Sequence, residues 1–340
     1  MFTRIVKNVN ESRIARLFAG QGAFTKQEIA RAAGLSFPTA GRIVDGFVAR
    51  GMVRDLGPDP QAAGGRRPRR YRIDPGFASA LLLFLDGERC CCRVIDAVGQ
   101  TVASFTRAVG PAGYLDAVRA VVAQTAARTP GLASVAVGVP GGVAGGRILY
   151  IDGYDELAGC DLKGLLEREF GLETAVENNM RAVVYGLAAR EGLLQEETVV
   201  CLQIAENGPG CGILVNGRPL SGFAGLVGEV GYLPAEGRGN LQQIALAGFP
   251  DGDVTGCFAR ILTSACVFLN PRRITVYRNP WVEDAALLRA RCGEYLPPAA
   301  LPEIVLSPDY EADFMAGLAR LALNALYPSY EIVRNQEVLP

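Results

Sequence analysis

The chain has 340 residues, of which 49% are hydrophobic and 20% charged, and its net charge is −1. That apolar content excludes a disordered chain, and the length suits two or three folded units with real cores. No apolar run approaches the ~20 residues of a bilayer span, and the opening MFTRIVKNVNESR lacks a signal peptide's apolar stretch, so no membrane partner and a cytoplasmic location are expected.

Histidine is absent, which excludes Ser-His-Asp and Cys-His catalysis, histidine general bases and histidine zinc ligands. The nine cysteines include the consecutive Cys90, Cys91 and Cys92 but no CxxC pair, and read as buried thiols in a reducing compartment. Charge is unevenly placed. Residues 1–75 hold 14 bases against 6 acids, a net +8, whereas residues 76–340 carry a net −9. A basic head on an acidic body points to a polyanion partner for the head. Arg66, Arg67, Arg69, Arg70 and Arg72 crowd into seven positions there.

In the head, Ile14, Leu17 and Phe18 predict a first helix over roughly 10–20. Thr25-Lys26-Gln27-Glu28 is a capping-box pattern that opens a second. Gly34-Leu35-Ser36 predicts a tight turn, with Ser36 capping a third helix that tolerates Pro38 in its first turn. Ala40, Ile43, Val44, Phe47 and Val48 form its core face. Its other face offers Thr39, Arg42 and Asp45, with Ser36 and Phe37 at the tip. Helix, short turn, helix is a DNA-binding arrangement whose second helix enters the major groove. A strand starting near Met52–Asp55 and another at Tyr71–Ile73 flank a basic loop and predict a wing.

The body alternates strands and helices. Leu81–Leu85, Cys90–Ile95 and a third strand from near Val102 are followed by a helix around 114–127. A buried strand, Val135–Val139, ends in Pro140-Gly141-Gly142. Leu162–Phe170 reads as a helix, Val176 leads into Glu177-Asn178-Asn179, and a helix crosses Ala182–Ala189. Val199–Ile204 and Gly212–Val215 repeat the opening hairpin, so two related α/β lobes with a cleft between them are expected.

These residues resemble the ROK family of repressors and sugar kinases (repressor, open reading frame, kinase), and more narrowly its repressor branch. The resemblance rests on residues 36–45 and Gly64-Gly65-Arg66-Arg67-Pro68 in the head, and on four stretches of the body. Those are Gly138-Val139-Pro140-Gly141, Glu177-Asn178-Asn179, residues 216–220 (NGRPL) and Gly228-Glu229-Val230-Gly231-Tyr232. It implies an α/β protein: a winged helix-turn-helix over 1–75, then a two-lobed actin-like (ribonuclease H-like) sugar-kinase fold. The first lobe spans 76–190 and the second 191–340, with a C-terminal helix returning to the first.

Departures from the family pattern bear on activity. Family kinases carry Glu-Asn-Asp, whose Asp takes the proton of the attacking sugar hydroxyl; here that position is Asn179. An amide cannot supply the ~10²–10⁴-fold that a general base contributes. The first phosphate turn reads Asp86-Gly87-Glu88, placing an acid where nucleotide phosphates would lie, and the second survives in part as Asn207-Gly208-Pro209-Gly210. The glycines expected after Ile274–Tyr277 are replaced by Arg278-Asn279-Pro280. The family's zinc histidine corresponds to Tyr232, and no cysteine follows within 233–250.

The expectation is a DNA-binding transcriptional regulator, a repressor, with a catalytically inactive body and no cofactor or metal. Ser36, Phe37, Thr39, Arg42, Arg66, Arg67, Arg69 and Arg70 are its DNA-binding candidates. The partner is double-stranded DNA bearing an inverted repeat, bound by a homodimer or tetramer. Asn178, Asn179, Glu229 and Tyr232 are candidates for a sugar-like effector. The alternatives are a ROK sugar kinase with an appended DNA-binding domain, and a regulator whose body only scaffolds.

Overall fold

The computed structural model describes residues 2–19, 22–60, 67–110, 113–151, 153–195, 198–205, 208–235, 239–248, 254–279, 282 and 284–326. The head comprises α1 (Phe2–Ala19), β1 (Phe24–Thr25), α2 (Lys26–Ala33), α3 (Phe37–Ala49), β2 (Val53–Pro58) and β3 (Arg69–Ile73), with the strands in antiparallel order β1-β3-β2. The capping box forms: the Thr25 hydroxyl accepts from Glu28 N at 3.2 Å while Thr25 N donates to Glu28 Oε2 at 2.7 Å. Gly34, at φ +64°, closes α2 in the left-handed region where an L side chain is strained. Ser36 Oγ then accepts from Thr39 N and starts α3. Ile14, Phe18, Ile29, Ala40, Val44, Phe47 and Ile73 fill the core beneath. Two features differ from expectation. The first helix begins at Phe2, and the sheet of the head has a third strand, β1. A two-residue strand has no period to read.

The first lobe holds β4 (Ser79–Asp86), β5 (Arg89–Asp96), β6 (Thr101–Ala108), α4 (Gly113–Arg128), β7 (Leu132–Val139), β8 (Gly141–Ala144), β9 (Arg147–Ile151), α5 (Leu162–Phe170), β10 (Glu173–Asn178) and α6 (Asn179–Arg190). Its mixed sheet runs β10-β7-β4-β5-β6, with β10, β7 and β4 parallel. The apolar run of β4 is explained by cover on both faces. Leu81, Leu83 and Leu85 join the core under α4 and α5, whereas Ala80 and Leu82 join the core around α6. Cys90 and Cys92 point into the first of these cores and Cys91 to the other face; burial pushes the Cys90 thiol to about 11 and Cys92 to about 12. Where the sequence reading ended a strand at Pro140-Gly141-Gly142, the chain enters the β8–β9 hairpin, because Gly141 packs against the Tyr150–Ile151 backbone where no side chain fits.

The second lobe holds β11 (Thr198–Ala205), β12 (Gly208–Val215), β13 (Arg218–Pro219), α7 (Leu241–Leu246), α8 (Val254–Leu269), β14 (Arg273–Tyr277), α9 (Ala285–Cys292), β15 (Glu303–Ser307) and α10 (Tyr310–Leu326). Its sheet runs β13-β12-β11-β14-β15, so its leading hairpin matches that of the first lobe. Helix α10 packs on α6, β7 and β4, with Ser134 Oγ donating to Ala322 O. Helices α6 and α10 cross closely because Gly186 lies against the Asp313 carbonyl and Gly317 against the Ala182 carbonyl. The far end of α10 reaches the head, where Leu326 packs on the core that also holds Ala97 of the β5–β6 turn. Ala97 N donates to Pro75 O at 3.1 Å, tying head to body.

Candidate nucleic-acid interface and interlobe cleft

On the head, α3 presents Phe37, Pro38, Arg42 and Asp45 to solvent. Phe37 is 58% exposed. Ser36 Oγ caps the helix and donates to Thr39 Oγ1 at 2.9 Å, so the two hydroxyls engage each other. Asp45 is paired with Lys26, which also sits 5.5 Å from the Tyr71 ring centre and braces α3 against α2. Arg42 is exposed and has no acid partner among the described residues.

The arginines on and just before β3 divide into two kinds. Arg69 Nε bonds Asp55 Oδ2 at 2.6 Å. Burial works to raise the Asp55 pKa, but the Arg69 hydrogen bond and charge and the Gly57 N–H together hold it below the usual value. Half-buried Arg70 bonds Asp59 Oδ2 at 2.9 Å and also the carbonyl of Ala23, so it braces the sheet. Arg67 and Arg72, by contrast, are exposed, with no acid partner among the described residues. Arg66 lies outside the described residues.

Between the lobes lies a cleft of about 1500 Å³. Its walls include the Asp86–Arg89 turn, Gly138–Pro140, Asn179, Gly208–Gly210, Glu229 and the start of α10 at Tyr310 and Glu311. Of the four predicted cleft residues, Asn179 and Glu229 line it. Asn179 Oδ1 accepts from Met180 N at 2.8 Å, and its side chain also hydrogen-bonds Tyr310. Asn178 is buried: its Oδ1 caps α6 through Arg181 N, and its Nδ2 donates to Gly141 O and to Glu229 Oε1 at 3.0 Å. It positions Glu229 and does not itself line the cleft. Tyr232 also stands apart, 48% exposed and edge-on to Tyr150 at 6.2 Å.

Several residues that organise the cleft escaped the sequence reading. Arg181, 1% exposed, bonds Glu177 at 2.6 Å, Val143 O at 2.7 Å and Gly225 O at 3.2 Å. It clasps the β8–β9 hairpin of one lobe to a loop of the other. Its signal was its place one turn after Glu177, an i,i+4 pair. The Tyr154 hydroxyl accepts a hydrogen bond from Gly87 N at 3.1 Å, and burial pushes that phenol up. The Gln242 side chain lies against both Gly208 and Gly231. Behind the cleft, Tyr277 Oη donates to Asp313 Oδ2 at 2.7 Å, and Arg190 reaches Asp313 Oδ1. Desolvation of Asp313 outweighs both partners and raises its pKa.

Residues 87–260 match the ROK family, and the chain belongs to that family. Over 248 residues it is 25% identical to the DNA-binding transcriptional dual regulator NagC of Escherichia coli (strain K12), a match covering 69% of this chain and 59% of that protein. The chain spans 34% and 59% of the lengths of the curated relatives it matches. Its fold is shared with a ROK family transcriptional regulator described as a homologue of the E. coli MLC protein. That likeness has a TM-score of 0.76 at 17% identity and covers 95% of this chain and 97% of that one. A ROK family glucokinase from Streptomyces griseus, solved with glucose and AMPPNP, shares it over 72% of this chain and 99% of its own, with a TM-score of 0.53 at 16% identity.

Proposed function

We propose that the protein is a DNA-binding transcriptional repressor whose body assembles into a homodimer or tetramer and senses a sugar-like ligand without phosphorylating it. The observation that carries this reading is the basic head, which presents Arg42, Arg67 and Arg72 beside an exposed helix face and without acid partners among the described residues. Such cations suit phosphates, while the leading residues of α3 suit base edges. Ser36 and Thr39 act in this reading by fixing the helix start, and Arg69 and Arg70 by holding the wing. Two heads on a symmetric assembly match an inverted repeat. Likeness to a transcriptional regulator over 69% of the chain supports the same reading. Selection of binding sites from random DNA tests it. Enrichment of an inverted repeat with salt-dependent affinity is expected, and no salt-dependent binding to any duplex would overturn it.

The inactive body rests on three further observations. Asn179 offers no carboxylate to the cleft. The Gly87 N–H, which a phosphate would need in the first turn, is already taken by Tyr154, and Glu88 adds negative charge there. The Gln242 side chain fills the space over Gly208 in the second turn. Phosphoryl transfer depends on held phosphates, so no ATP-dependent turnover is expected with any hexose. A coupled assay giving about 1–100 s⁻¹, ordinary for kinases, would overturn this half alone. For the effector, Asn179 and Glu229 are the proposed contacts, with Asn178 orienting Glu229. No described helix is long and apolar enough to cross a membrane.

A further inference from the structure

Phe37 is the first residue of α3 and is 58% exposed, although the core face of that helix, Ala40, Gly41, Val44 and Phe47, is complete without it. Pro38 beside it is exposed as well. Of the hydroxyls that flank this pair, Ser36 Oγ caps the helix and donates to Thr39 Oγ1. The leading tip of α3 thus exposes an apolar ring and a proline, on a head of net charge +8 over residues 1–75. Arg42 follows one turn beyond Pro38 on the same helix. A phenyl ring held out to water on a cationic surface fits a polyanion that itself carries an apolar group. Duplex DNA presents such a group in the major groove at the 5-methyl of thymine. The N-terminal residues of a helix seated in that groove lie nearest the base edges.

We propose that Phe37 is a specificity residue that packs on a thymine 5-methyl group within each half-site of the operator. This rests on the regulatory reading above. The Arg42, Arg67 and Arg72 cations supply affinity for any duplex, while Phe37 distinguishes thymine from bases that lack the methyl.

The test uses the full chain and a duplex selected from random DNA. Each thymine of a half-site is replaced in turn by uracil, which removes the methyl and leaves every pairing group in place. At one position uracil should weaken binding by the parent three- to fivefold, equivalent to burial of one methyl at about 0.8 kcal/mol. Phe37→Ala should bind the thymine duplex more weakly and show no thymine–uracil difference at that position, while Phe37→Leu keeps part of it. An unchanged melting temperature of Phe37→Ala shows the loss to be local, as its exposure requires. Equal binding of thymine and uracil duplexes by the parent, or an equal penalty in Phe37→Ala, would overturn this inference and leave the regulatory reading intact. Failure of the parent to select any DNA overturns both.

Discussion

The head and the interlobe cleft treat their polar groups in opposite ways. On the head, Arg42, Arg67 and Arg72 stand in water without acid partners among the described residues. Around the cleft, Asn178, Arg181 and Asp313 are buried and bonded. An exposed charge costs the fold little and stays available to a partner. A buried charge must be matched where it lies, so it sets geometry and leaves little for a ligand. In the proposed reading, recognition on the head would rest on charges without acid partners among the described residues, whereas the cleft would rest on a framework that places the few groups left facing it.

The sharpest way to break this contrast is at Arg181. Arg181→Met would leave the half-buried Glu177 without its cation and the buried carbonyls of Val143 and Gly225 without their donor. Unfolding in urea should show a loss of about 2–6 kcal/mol, about 1–3 kcal/mol for each buried carbonyl left without its donor. A loss below 1 kcal/mol would mean that the clasp is incidental. On the head, Arg67→Ala with Arg72→Ala should weaken DNA binding about tenfold per lost contact near 0.1 M salt and lower the salt slope by about four, because two heads each carry both changes. Melting should barely change. Arg70→Ala should do the reverse, lowering the stability of the head by removing the brace to Asp59 and Ala23. If both changes act alike, the division of these arginines fails.

A smaller effect is expected at Thr25→Ala, which removes the cap of α2 while leaving Glu28 in place. About 1 kcal/mol of stability should be lost in thermal or denaturant unfolding. The smallest is a predicted nil result. Asn179→Asp restores a carboxylate at the cleft, yet should give no sugar phosphorylation in a coupled assay, because Tyr154 and Gln242 still cover the two phosphate turns. Activity on that single change would show that only the base had been missing.

Local periodicity carried much of the fold. Leu162–Phe170 is the helix that its spacing predicted, and the capping box of Thr25, the turn at Gly34 and the cap at Ser36 stand where the residues put them. These features depend on neighbours three or four positions away, so the chain states them locally. The alternate burial of the three cysteines follows equally from the period of a strand. The candidates for the head were likewise legible as charge, since a run of arginines is visible without a structure.

Only the tertiary structure decided which of those arginines meet an acid among the described residues. Arg69 and Arg70 meet acids 14 and 11 residues away in sequence. It also decided that Asn178 holds Glu229, 51 positions distant, and that Tyr154 reaches Gly87 across 67. The β8–β9 hairpin and the two-residue β1 exist because a partner strand is there to pair with them. Local pattern determined which segments are helices and strands and where the basic charge lies, because those follow from spacing along the chain. Which polar groups remain open to a ligand is set by contacts between residues far apart in sequence, since a buried donor or acceptor takes whatever partner the packed lobes bring to it.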